Sequence, residues 1–169
     1  MPSGTAREYT PDTMNYEIHV KQVPAQLIAS ERRHTALAEL GSTMQSTLAK
    51  IATSVHPPDA TQGVPFAIYY DKPFKPEDID VEIGVPIAQS ATLDESVRVQ
   101  RRQLPGGPVA FTMHVGPYKA IGEAYTALYA WMKAHGHRPL GPPREVYIVG
   151  PRQGITSAEY RTEIDIPID

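Results

Sequence analysis

The sequence predicts an α+β fold: two copies of a strand–helix–strand–strand (βαββ) unit related by a pseudo-twofold axis. Their strands form one curved antiparallel sheet with two main helices on one side. Three observations predict it. The first is an internal repeat: Val81–Ile87 (VEIGVPI) returns as Thr162–Ile168 (TEIDIPI), 81 positions on, and the same spacing lays Pro24 on Pro105, Gly41 on Gly122, and Tyr16 and Ile18 on Val97 and Val99. The second is periodicity, because each half holds one apolar stripe at helical spacing among stretches that alternate as strands do. The third is punctuation: 17 prolines and 12 glycines imply many turns and short strands. Residues 1–13 read as a loose arm, 14–169 as a single domain, and its halves as 14–87 and 97–168.

Each element follows in order. Tyr16, Ile18 and Val20 alternate with Glu17, His19 and Lys21 as a half-buried strand does. Pro24 bends this segment, which continues extended from Gln26 to Arg32. A helix is expected from Thr35 to Thr53, with Leu37, Leu40, Met44, Leu48 and Ile51 as its apolar stripe. His56-Pro57-Pro58 stops it, and strands follow at Phe66–Tyr70 and Asp80–Ile87. The second half opens with Val97 and Val99, bends at Pro105-Gly106-Gly107-Pro108, and runs extended to Val115. There Val109, Phe111, Met113 and Val115 share one face, and Ala110, Thr112 and His114 the other. Gly116-Pro117 starts a helix striped by Ile121, Tyr125, Leu128 and Met132, with Gly136 as its cap. Two strands then close the chain. Each half is expected to keep its own bent first segment.

Composition removes several functions. Hydrophobic content of 41%, charged content of 21% and a net charge of −3 describe a folded core, with no basic run for nucleic acid. The absence of cysteine excludes disulfides, thiolate nucleophiles and cysteine-held zinc. No stretch approaches the ~20 apolar residues of a membrane span, and the first fourteen residues lack the apolar core of a secretory signal. A cytoplasmic protein is expected, with no membrane association, no metal and no cofactor.

Gly141-Pro142-Pro143-Arg144-Glu145-Val146-Tyr147-Ile148 reads as a strand entered from a turn. Alternation puts Arg144, Val146 and Ile148 on one face, and Glu145 with Tyr147 on the other. Gly63–Tyr70 is built alike at a spacing of 78, which lays Tyr69 on Tyr147 but Ala67 on Glu145. One copy carries an acid where the other carries a methyl. A carboxylate beside a phenol, present in one copy alone, is a candidate for chemistry in a cleft near the pseudo-twofold axis.

His114–Pro151 (HVGPYKAIGEAYTALYAWMKAHGHRPLGPPREVYIVGP) resembles the GyrI-like small-molecule-binding domain family, which includes the effector-binding domains of multidrug-responsive MerR-type and AraC-type regulators. The pieces that carry it are Gly116-Pro117-Tyr118, the Tyr/Leu/Trp helix, Gly136, the Glu145 strand and the ending Thr162–Ile168; with the first half it spans about 14–168. The resemblance implies an aromatic-lined pocket whose glutamate, matched here by Glu145, binds hydrophobic, often cationic, compounds. In regulators such a domain follows a DNA-binding module. Here only a short arm precedes residue 14, so a stand-alone binding protein without direct nucleic-acid contact is expected.

Tyr69, Tyr118, Tyr147, Met113 and Trp131 are the other candidate ligand-binding residues, while Tyr125 reads as core. His135 and His137 flank a helix end without a third metal ligand nearby, and His114 reads as polar lining or exposed. Glu163 and Asp165 read as solvated. Two alternatives to binding stand. The resemblance also implies hydrolysis of cyclopropane-bearing electrophiles, as in some relatives, with Glu145 catalytic. The acidic run Glu77-Asp78-Ile79-Asp80 offers a protein-interaction role toward gyrase or a regulator.

Overall fold

The computed structural model describes residues 15–94 and 98–169. The expected arm at 1–13 and the strand residue Val97 lie outside them. In chain order the elements are β1 (His19–Val23), β2 (Gln26–Thr35), α1 (Leu40–Ser54), β3 (Val55–His56), β4 (Phe66–Tyr69), β5 (Ile79–Pro86), β6 (Thr92–Leu93), β7 (Gln100–Leu104), β8 (Gly107–Val115), α2 (Ile121–Ala134), β9 (Arg144–Val149) and β10 (Arg161–Pro167). None of the described helices is long and apolar enough to cross a membrane.

Eight strands form one strongly curled sheet in the order β1-β8-β10-β9-β4-β5-β2-β7, every pair antiparallel. The order reads the same from either edge once the halves are exchanged. The axis runs between β4 and β9, where Ala67 pairs with Glu145. These two are repeat counterparts, so this difference between the halves sits on the axis. Around it the backbone repeats itself: the Tyr69 N–H donates to the Pro143 carbonyl at 3.2 Å and the Tyr147 N–H to Pro65 at 3.0 Å.

One expectation is corrected. The halves do not keep their first strands: β1 pairs with β8 of the second half, and β7 pairs with β2 of the first. A hairpin back onto β2 would need residues with positive φ, and Pro24-Ala25 supplies none. The segment crosses over instead. The two bends touch there, since a Cβ on Gly106 would lie 2.6 Å from both the Ala25 nitrogen and the Val23 oxygen.

The helices pack on separate strands, α1 over β2 and β5 and α2 over β8. The inward side of α1 joins the buried Thr43, Thr47, Ile51 and Ser54 to the half-buried Leu40, Met44 and Leu48, which pack on Ala67, Ile79, Val81 and Ile83 of the sheet; of the predicted stripe only Leu37 is exposed. The larger apolar side chains share their cluster with Tyr69 and Tyr147, so they border the strands of the axis. On α2 the buried face is Ala124, Leu128 and Met132. That helix ends as expected: Gly136 at φ +74° lets the His137 N–H reach back to the Met132 carbonyl at 2.9 Å.

The other sheet face is charged and ordered, which corrects the solvated reading of Glu163 and Asp165. Asp165 is buried and accepts from Arg144 at 2.7 Å, while half-buried Glu163 pairs with Lys21. Glu82, the counterpart of Glu163, is buried, gripped by Arg102 at 2.7 and 2.6 Å, by Ser30 at 2.6 Å and by Tyr70 at 2.5 Å. His114 is fully buried rather than lining or exposed, with Tyr16 at its Nδ1 and the Pro117 carbonyl at its Nε2. Tyr16 precedes the exchanged strand, which is why the sequence hid this contact. The acidic run is internally engaged: Asp80 pairs with Arg32, Asp78 with His34, and Ile79 is buried.

Candidate functional site

Glu145 sits at the centre of the sheet on the helix-bearing face, in the gap between α1 and α2. Alternation along β9 puts it there with Tyr147; β4 brings Ala67 and Tyr69 alongside in register. Its residue exposure is 8%, so both oxygens need partners. Phenols provide them. Tyr125 of α2 donates to Oε1 at 2.7 Å and Tyr147 to Oε2 at 2.8 Å. The Tyr69 hydroxyl lies 3.0 Å from that of Tyr147. Because Tyr147 spends its only proton on the carboxylate, Tyr69 donates to Tyr147, and a directed chain of hydroxyls ends on the acid.

A second aromatic layer flanks this set. Tyr118 meets Tyr147 edge-on at 5.9 Å and lies 5.0 Å from the Tyr160 ring. Of the predicted residues, the structure brings Glu145, Tyr147, Tyr69 and Tyr118 together. It does not bring Met113, which pairs in register with Glu163 on the opposite sheet face. Nor does it bring Trp131, whose ring stacks on His135 at 4.1 Å and lies 5.7 Å from His137, at the far end of α2.

Two residues of the cluster escaped the sequence reading. Tyr125 reads as core because it falls in the apolar stripe. Its spacing of seven from Tyr118, two helical turns, was the available signal. Tyr160 lies in a loop, with no periodicity to mark it.

Among the described residues no lysine, arginine or histidine pairs with Glu145. Burial pushes its carboxyl above the usual range, and the hydrogen bonds from Tyr125 and Tyr147 pull it back without cancelling the rise. Burial first, and then the nearby acid, hold Tyr125, Tyr69 and Tyr147 well above the ordinary phenol value. Tyr118 is pushed up to about 12 by burial, then by Tyr160 and Glu145.

Two open clefts lie elsewhere. One of about 570 Å³ follows Glu31–His34 and Arg98–Gln100; another of about 290 Å³ is lined by Ser30, Arg32, Tyr70, Glu82, Gln100 and Arg102. Neither is lined by Glu145. The acids in their walls already hold cationic partners: Glu31 pairs with Lys50 and Glu82 with Arg102. Glu145 has phenols alone, and its chemistry is the less satisfied.

The fold recurs in solved structures. The EcmrR C-terminal domain superposes with a TM-score of 0.76 at 25% identity, over 92% of this chain and 99% of that one. EcmrR in its DNA complex gives 0.80 at 23% identity, over 91% of this chain, which spans 57% of the EcmrR chain. A hydrolase from Listeria innocua gives 0.68 at 14% identity, over 95% and 94% of the two chains. SAV2435 bound to tetraphenylphosphonium gives 0.57 at 13% identity, over 92% and 94%. No curated protein matches the sequence. The family model of the GyrI-like small molecule binding domain matches residues 16–169. With nearly the whole chain under that model and its sheet and helices superposing on the EcmrR C-terminal domain, the protein belongs to the GyrI-like small-molecule-binding family.

Proposed function

We propose that the protein binds hydrophobic organic cations, with Glu145 supplying the charge and Tyr69, Tyr118, Tyr125 and Tyr147 the walls. One observation carries the reading: a buried carboxylate held by neutral phenols and lacking a counter-charge among the described residues. Burying a charge is costly unless something opposite pairs with it, and among the described residues this acid has no cationic partner. A cation ~4 Å away gains about 4 kcal/mol at an effective dielectric near 20, before desolvation. Each aromatic face adds about 0.5–2 kcal/mol. Flat lipophilic cations answer to both at once. The binding of tetraphenylphosphonium by SAV2435 supplies a probe.

Calorimetric titration with tetraphenylphosphonium tests this. Wild type is expected to bind, and Glu145→Gln to bind at least about tenfold more weakly, since 1.4 kcal/mol is tenfold. Equal affinity in the variant removes the charge from the account.

The upward shift of Glu145 favours a second use. A carboxyl titrating nearer neutrality, with phenolic donors on both oxygens, suits a proton-transfer catalyst, and the Listeria innocua neighbour is called a hydrolase. Here the Glu145 carboxylate would take a proton from a water whose oxygen bonds to one cyclopropane carbon as the strained C–C bond breaks, and the proton would pass to the carbon that keeps the electron pair. Product formation abolished by Glu145→Gln would favour this use. Thermal stabilisation by the same compound without product would favour binding.

A further inference from the structure

The two walls over Glu145 are repeat counterparts with opposite chemistry. At the spacing of 81, Leu40, Met44 and Leu48 of α1 answer to Ile121, Tyr125 and Tyr129 of α2. Leu40, Met44 and Leu48 pack, half-buried, against the cluster of Ala67, Ile79, Val81 and Ile83, together with Tyr69 and Tyr147. On the α2 side Tyr125 bonds the acid, and Tyr129 is 39% exposed and close enough to raise Tyr125 further. The floor is divided in the same way, with Glu145 on one side of the axis and Ala67 on the other. Tyr69 and Tyr147 bridge the two sides. Half of the site is therefore anionic and phenolic, and half is hydrocarbon.

We infer that the ligand is an amphiphilic monocation, held in one direction, with its charged head against Glu145 and Tyr125 and its uncharged body against Leu40, Met44 and Leu48. This rests on the cation-binding reading of Glu145 and adds charge number and orientation to it. A second positive charge at the far end would lie among aliphatic side chains with no acid to meet it, and stripping its water would go uncompensated. The pseudo-twofold symmetry makes this a property of composition rather than shape, because the two halves offer similar backbone and differ in what hangs from it. Rejection thus comes from an unpaired charge on the wrong partner, which discriminates more sharply than loss of contact.

The test uses a matched pair: decyltriphenylphosphonium, and the bis-phosphonium with the same ring system at both ends of the decyl chain. The dication offers two heads to one acid and would otherwise bind at least as well. Calorimetry on wild type is expected to give the monocation at least about tenfold tighter binding. Met44→Glu, at a half-exposed helix position, is expected to raise the affinity for the dication and close most of that gap. Ala67→Glu should act likewise if it folds; Met44→Glu keeps the test decisive if it does not. A wild type that binds the dication as tightly as the monocation, with Glu145→Gln weakening both, overturns the orientation and leaves the cation reading standing. No binding of either compound overturns both. A gap left unchanged by Met44→Glu overturns the assignment of the neutral end to α1.

Discussion

Glu145 and Glu82 are both buried acids, on opposite faces of one sheet, and they titrate in opposite directions. At Glu82 burial raises the carboxyl, but hydrogen bonds from Arg102, Ser30 and Tyr70 outweigh it and the group sits below the usual range. At Glu145 the donors are phenols, and burial prevails. The signs carry into behaviour. An acid raised in the folded state binds its proton more tightly there than in the unfolded chain. Its stabilising contribution is full below the ordinary carboxylate pKa and is lost as pH rises through the folded value. Stability should therefore fall across that window in wild type and lose that component in Glu145→Gln, as chemical denaturation over a pH series would read. Cation affinity should move oppositely, climbing as Glu145 ionises and levelling off above its folded value. Titration with tetraphenylphosphonium over the same series checks this, and a flat profile would contradict it. The acid itself was legible in the sequence, through strand alternation and the Ala67 mismatch. Its strongest partner was not. A helical stripe reports which side chains leave water, whereas Tyr125 leaves water with its ring and delivers its hydroxyl to the floor.

At the scale of elements, periodicity located both helices and the central strands to within a few residues, because each buries one face. It placed Leu40, Met44, Leu48 and Ile51 on the inward side of α1, where they are, but missed Thr43 and Thr47 beside them, since hydrophobicity does not mark a buried hydroxyl residue. It also could not reveal the exchange of β1 and β7. An edge strand alternates in the same way whichever neighbour it joins, and only turn chemistry distinguishes a return from a crossing. The crossing sets a demand at Gly106, where a Cβ would meet backbone atoms of Val23 and Ala25 at 2.6 Å, atoms that cannot rotate aside. Gly106→Ala is expected to cost about 1–3 kcal/mol, the usual range for overpacking. A lowered denaturation midpoint with unchanged slope would show it. Hydrogen exchange should show protection lost first along β1 and β7. A variant as stable as wild type would mean that the bends have more room than their backbones show.

For the whole molecule, the exchange joins the halves at two places, β1 on β8 and β7 on β2, and the seam of β4 on β9 adds a third. Neither half owns a complete sheet edge, so neither has a folded form that keeps all its pairings. Thermal unfolding is expected to be a single transition, with calorimetric and van't Hoff enthalpies in agreement. Two resolved transitions, one per half, would contradict the shared sheet. The register at the axis has one more consequence. Had two identical chains assembled in this manner, strict symmetry would oblige positions 67 and 145 to be the same residue, facing itself across the seam. Two glutamates there would repel, and one would stay protonated; two alanines would leave nothing to attract a cation. A lone ionisable group on a symmetry axis is open only to a molecule whose two repeats lie on one polypeptide and are free to differ.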